Sequence, residues 1–173
     1  MPQNPPILES LTFPAPYILQ KVAPIAALLI REKLTIATAE SLTSGLIAAS
    51  LTSIAGSSAY FLAGFNTYSN ESKERFLEVP EEIIARSGAV SRQCSEAMAQ
   101  NARRLVGADL GLSSTGIAGP DGATATKPVG LVYLTVTGAK NTFTERNIYS
   151  GSRHEVTIAS VLGALELLEK YLA

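Results

Sequence analysis

The chain has 173 residues, 46% of them apolar, a formal net charge of −1, one Cys and one His. That length and apolar content suit one domain with one substantial core, and the scattered Lys and Arg residues carry no nucleic-acid footprint. No apolar run reaches about 18 residues and no basic-then-apolar leader opens the chain, so a cytoplasmic protein without membrane contact is expected. Cys94 and His154 alone exclude an intramolecular disulfide and build no zinc cage, and no Asp/Glu cluster has cation-ligand spacing, so no metal is expected.

Residues 1–16 hold five of the nine prolines and read as an extended arm ahead of one domain over 17–173. Ile18, Val22, Ile25, Ala26 and Leu29 then recur at helical spacing. Pro24 falls inside that pattern and is expected to kink the helix or mark its first turn. An apolar strand from Leu34 to Thr38 gives way to Ala39-Glu40-Ser41-Leu42-Thr43-Ser44-Gly45, and a helix from Gly45 to Ile54 follows. Ala59 to Tyr68 reads as a second strand, Ser69 or Asn70 as the cap of a short helix reaching Leu77, and Pro80-Glu81-Glu82 as the acidic first turn of another.

Ser91 opens a long helix that Gly107 ends, with Cys94, Ala97, Met98, Ala102 and Leu105 on one face, which makes Cys94 a core residue. Leu110 to Ser114 is a short strand and Gly116 to Pro128 a loop. Val129 to Thr137 and Thr142 to Tyr149 form a hairpin, and the closing helix carries Ile158, Val161, Leu162, Leu165 and Leu168 on one side. Early alternation of helix and strand followed by a late hairpin predicts a three-layer α/β/α sandwich with a mixed, partly parallel sheet.

Small hydroxyl residues and a glycine at a strand-to-helix junction suit a nucleophile. Ser41 there can attack a carbonyl while backbone N–H groups near Thr43 to Gly45 hold the oxyanion. Ser41, Thr43 or Ser44 serves equally well as an ordinary helix cap. If the first three strands are parallel, the residues near Ser41, Tyr68 and Thr115 gather at the carboxyl edge of the sheet, where open α/β sheets place ligands. Lys73 falls in a helix's first turn, where the dipole disfavours the ammonium form, so it is a candidate base for Ser41 or else a solvated surface lysine. Tyr68 is placed to relay that proton or donate to a substrate oxygen.

The loop Thr115-Gly116-Ile117-Ala118-Gly119-Pro120-Asp121-Gly122 offers consecutive amides able to wrap an anion, although it is neither a Walker motif nor a dinucleotide fingerprint. Lys127 closes it, facing an anion or water. Arg153 has the planar fork that grips phosphate, and serves equally as a cap or ion-pair partner. Any Ser-His-Asp triad must use His154, which reads more simply as a surface residue at a helix start.

Taken together, Ala39-Glu40-Ser41-x-Thr43-x-Gly45, Gly56-Ser57-Ser58-Ala59-Tyr60-Phe61, Thr67-Tyr68-Ser69-Asn70-Glu71-x-Lys73, Gly88-Ala89-Val90-Ser91, Thr115-Gly116-Ile117-Ala118-Gly119-Pro120 and Lys127-Pro128-Val129-Gly130 resemble the CinA C-terminal domain family. Active members of that family are nicotinamide mononucleotide amidohydrolases. The resemblance implies hydrolysis of the nicotinamide carboxamide to the acid with release of ammonia, without metal or cofactor. It also implies an α/β/α fold and often a dimer or higher oligomer, the ligand being a small pyridine nucleotide.

By the same resemblance Ser41 is the nucleophile, Lys73 the general base, Tyr68 and Thr115 polar helpers, and Arg153 the phosphate contact. Thr43, Gly45 and Gly116 complete the expected substrate-binding set. Larger members add an N-terminal molybdopterin-binding-like domain, and this chain looks like the standalone form. It departs from the family pattern at Leu42, where Cys is common, at Ser44 and Ala123, where Gly is common, and at Thr157, where Arg is common. Nucleophile and base are both present, so hydrolysis is expected; a catalytically weak nucleotide-binding or interaction module is the alternative.

Overall fold

The computed structural model describes residues 14–173. Thirteen residues of the arm expected over 1–16 therefore lie outside it. Pro16 opens the first helix, α1 (Pro16–Glu32), where a fixed φ and a missing N–H are no handicap. The first-turn role considered for Pro24 thus belongs to Pro16, and the helix continues through Pro24 to a left-handed Lys33. Ile18, Val22, Ile25, Ala26 and Leu29, the periodic set, form its buried face.

The first strand, β1 (Ile36–Glu40), begins two residues later than the apolar run suggested. Thr35 is held outside the ladder by Asp109, whose carboxylate accepts both its N–H at 2.8 Å and its hydroxyl at 2.7 Å. All five β1 residues are buried, the polar Thr38 and Glu40 included. Next come α2 (Leu46–Thr52), a single 3-10 turn at Ser57–Ala59, and β2 (Phe61–Asn66). Ser69, accepting from the Ser72 N–H, caps α3 (Asn70–Leu77), and Pro80 precedes α4 (Glu81–Ser87). Ser91 caps α5 (Arg92–Val106) and left-handed Gly107 ends it, as the sequence indicated.

β3 (Leu110–Gly116), β4 (Leu131–Thr137) and β5 (Thr142–Ile148) complete the sheet. The closing helix α6 (Arg153–Leu172) starts from a capping box made by Ser152 and Glu155. The strand order is β2-β1-β3-β4-β5, with β1 parallel to β2 and β3 and the last two pairings antiparallel. Helices α1, α2 and α6 bury one face of the sheet, with Ile25, Leu29, Ile47, Leu51 and Leu165 packed on Ile36, Leu112 and Val136. Helix α5 buries the other, setting Cys94, Met98 and Ala102 against Ala37 and Ala39. The architecture is the three-layer α/β/α sandwich with a mixed sheet that the element order predicts.

From β1 the chain crosses to β2 on one side and then returns past β1 to β3 on the other. Right-handed crossovers running in opposite directions put α2 and α5 on opposite faces and leave a crevice beyond the carboxyl ends of β1 and β3. Ser41 directly follows the last residue of β1 and so stands at that carboxyl edge.

Close approach of α5 to the sheet depends on Gly111. A Cβ there would lie 2.0 Å from the Ala99 carbonyl oxygen. Gly111→Ala is therefore expected to destabilise the fold by about 2 kcal/mol or more in chemical denaturation. Gly107→Ala, at φ 65 but facing open space, should cost only about 1 kcal/mol.

Candidate active site

The turn that carries Ser41 is fixed from within by the residue before it. The Glu40 carboxylate accepts N–H groups from Gly45 at 3.0 Å, Ile47 at 3.0 Å and Ala48 at 2.8 Å. These are three of the four amides that the start of α2 leaves without helical partners, and the fourth, on Leu46, donates to Thr43 O. Ser41 donates its N–H to Ser114 O, Ser44 donates to Ser41 O, and the Thr43 hydroxyl meets the Ser114 hydroxyl at 2.6 Å. Among the described residues, the N–H groups of Leu42 and Thr43 have no partner.

This arrangement corrects part of the sequence reading. Gly45 and Ser44 have already committed the amides expected to face an oxyanion, and the Thr43 side chain is buried against β3 instead of meeting a ligand. The sequence reading gave Glu40 no role. Its signal was a carboxylate ending an otherwise apolar strand, which cannot stay buried without donors close by.

Lys73 is the most unusual side chain in the molecule. It is 1% exposed, and its Nζ lies 3.1 Å from Ser41 Oγ, 2.7 Å from Thr67 O and 3.1 Å from Tyr68 O. The surface-lysine alternative is thereby excluded. No carboxylate lies within ion-pair distance of it among the described residues. Burial pushes its pKa below the ordinary lysine value of 10.5, and only the neighbouring Cys94 opposes that shift. The Cys94 thiol is itself raised by burial to about 11, so at neutral pH it carries no charge with which to hold the ammonium. Nζ donates to the two carbonyls and lies within hydrogen-bond reach of Ser41 Oγ, which accepts from the ammonium form and can donate to the lone pair of the neutral amine.

Around this pair the other expected residues divide. The Tyr68 hydroxyl, on a side chain 58% exposed, accepts from Arg153 Nη2 at 2.6 Å, while the Tyr68 carbonyl accepts from Lys73 Nζ. Arg153 Nη1 donates to Gly119 O at 2.9 Å. Thr115 is buried and donates to Ala89 O, and Lys127 donates to Ser87 O at 2.6 Å, so both clamp the turn between α4 and α5. Gly116 belongs to the β3–β4 ladder, where a Cβ would come within 2.7 Å of Leu131 O, so packing and not an anion requires it. His154 is exposed and makes no hydrogen bond to Ser41. No group of three or more His, Cys, Asp or Glu gathers as a metal site among the described residues, and no described helix is long and apolar enough to cross a membrane.

The model of the CinA C-terminal domain matches residues 19–172. The chain belongs to the CinA C-terminal domain family. A CinA-like protein of Citrifermentans bemidjiense is 53% identical over 147 residues, which cover 84% of this chain and 36% of that protein. One of Geobacter sulfurreducens is 48% identical over the same shares, so the chain spans about a third of the length of these curated relatives. Among solved structures, the competence/damage inducible protein CihA from Agrobacterium tumefaciens superposes with a TM-score of 0.89 at 40% identity, covering 92% of this chain and 98% of that one. A CinA superfamily protein from Escherichia coli gives 0.87 at 27% identity, covering 94% and 96%.

Within this CinA domain the departures from the family pattern acquire physical meaning. Ser44 adopts a left-handed φ of 51, the conformation for which glycine is the undemanding choice. Ala123 is exposed and has no positive φ, so glycine freedom is not needed there. Leu42 packs into the core with Ile47 and Leu51 of α2. Thr157 lies one helical turn beyond Arg153 and adds no charge to it.

Because burial lowers the folded-state pKa of Lys73, the native state binds fewer protons than the unfolded one between that lowered value and 10.5. The stability of the wild type relative to Lys73→Met should therefore rise with pH through this window and level off above it. Denaturation midpoints of the two proteins across a pH series measure the difference.

Proposed function

We propose that the CinA domain described here is a Ser-Lys amidohydrolase that converts nicotinamide mononucleotide to nicotinate mononucleotide and ammonia. The observation that carries this reading is the buried Lys73 amine, whose Nζ lies within hydrogen-bond distance of Ser41 Oγ, 3.1 Å away. Burial lowers the pKa of this amine and so makes the neutral, basic form easier to reach, and a serine hydroxyl needs such a base to attack a carboxamide.

In this reaction Lys73 takes the Ser41 proton while Oγ bonds to the carboxamide carbon. The tetrahedral oxyanion forms against the uncommitted N–H groups of Leu42 and Thr43, worth about 10²–10³ in rate per donor. The new ammonium remains fully satisfied, with Thr67 O, Tyr68 O and the Ser41 oxygen around it. It then passes its proton to the leaving nitrogen, the C–N bond breaks, and ammonia departs. Lys73 next activates a water that cleaves the acyl-serine ester, giving the carboxylate and restoring Ser41. Arg153, at the rim beside Tyr68, is the group for the 5′-phosphate, sharing its fork with the Tyr68 hydroxyl and Gly119 carbonyl.

Ammonia release from nicotinamide mononucleotide tests the assignment. Ser41→Ala and Lys73→Met should each lower kcat by about 10⁴-fold or more, and near-wild-type turnover in either would refute it. Arg153→Ala should act mainly on KM, raising it about tenfold or more. Calorimetric binding of the nucleotide by a wild type that yields no ammonia would instead identify a nucleotide-binding module.

The pH dependence carries a separate signature. Activity should climb with pH through one ionisation lying below the ordinary lysine range, since only neutral Lys73 is the base. An unchanged acid limb in Lys73→Met, measured on its residual activity, would assign that ionisation elsewhere.

A further inference from the structure

We infer that Glu40 is the positioning residue of this site, setting the rate at which Ser41 is acylated although it touches no reacting atom. For its chemistry the inference rests on the Ser41–Lys73 reading above. Helices are usually capped by the side chain of the residue at the N-cap itself. Here the N-cap is Gly45, which has none, and the carboxylate comes from Glu40, five residues earlier in β1. The bonds to Gly45, Ile47 and Ala48 thus bridge the Ser41–Ser44 turn and fix both its ends to the sheet.

The main chain of the same residue holds the other partner. Glu40 O accepts the Thr67 N–H at 2.9 Å, and Thr67 O in turn accepts from Lys73 Nζ at 2.7 Å. Nucleophile and base are therefore both referenced to one residue, the first through its side chain and the second through its carbonyl. Glu40 is 1% exposed and has no cationic partner among the described residues, so only backbone amides compensate its buried carboxylate. A side chain of that kind responds sharply to small changes. Glutamine keeps the size but sets an NH₂ against at least one amide donor, and aspartate keeps the charge but is one methylene short of spanning the turn.

Labelling of Ser41 by a serine-directed fluorophosphonate, followed by mass spectrometry, reads the positioning without any assumption about the substrate. Glu40→Gln should slow labelling about tenfold or more and lower kcat for nicotinamide mononucleotide in parallel, with KM within about twofold. Glu40→Asp should recover part of both rates. Melting temperatures, measured alongside, separate this from simple capping, which would lower Tm and leave the labelling rate of the folded protein near wild type. That result, or failure of both variants to fold, would overturn the inference and make Glu40 a stability residue. A wild type that labels at Ser41 but releases no ammonia would remove the nucleotide assignment while the labelling rates still decide the role of Glu40. A wild type that does not label would overturn both readings.

Discussion

Burying an amine without a carboxylate beside it is the constraint around which the rest of this molecule is arranged. An ammonium ion in such a place gives up hydration that its three acceptors only partly replace, so burial lowers the pKa of Lys73. For Lys73 this requires that α3 pack on α5, that the backbone at Thr67 and Tyr68 turn its carbonyls inward, and that the Ser41 hydroxyl stand within reach of Nζ. Each requirement is met by a different segment. These segments meet because β1 and β2 run in the same direction and so end at the same edge of the sheet.

A second layer of commitments surrounds this one. Every amide at the start of α2 is already bonded, so that helix end has nothing left to offer a phosphate. The arrangement separates two kinds of negative charge. In the proposed reaction the transient oxyanion falls to the turn beside Ser41, and the permanent anion of the nucleotide to the exposed guanidinium of Arg153. Lys127 and Thr115, polar residues that look available in the sequence, spend their hydrogen bonds on the turn between α4 and α5 and so fix the wall of the crevice.

Much of the fold was legible because its signals are local. Ser91 and Gly107 bounded α5, the periodic apolar set of α1 gave its buried face, and alternation of elements gave the layers. The errors arose where a distant partner decides. Thr35 is kept out of β1 by Asp109, seventy-four positions away, and no window around Thr35 contains that information. For the site, the sequence made Ser41 and Lys73 candidates and the fold brings them together, but whether a hydroxyl or amide faces a ligand or another part of the chain depends on packing. Thr43 and Thr115 turned inward and the Gly45 amide went to Glu40 for that reason, and Glu40 was passed over because its carboxylate is visible in the sequence but the backbone donors that hold it are not.

The mixed sheet divides the molecule into two ends with different duties. β3 joins parallel neighbours on one side to an antiparallel hairpin on the other, and the 138–141 turn of that hairpin lies beyond the amino end of β3, at the rim opposite Ser41. Lys140 and Asn141 there are exposed, and none of the hydrogen bonds that organise the crevice reaches them. That tip is consequently the natural attachment point for a fluorophore or an inserted peptide, and a place where evolution can lengthen the chain without disturbing the chemistry.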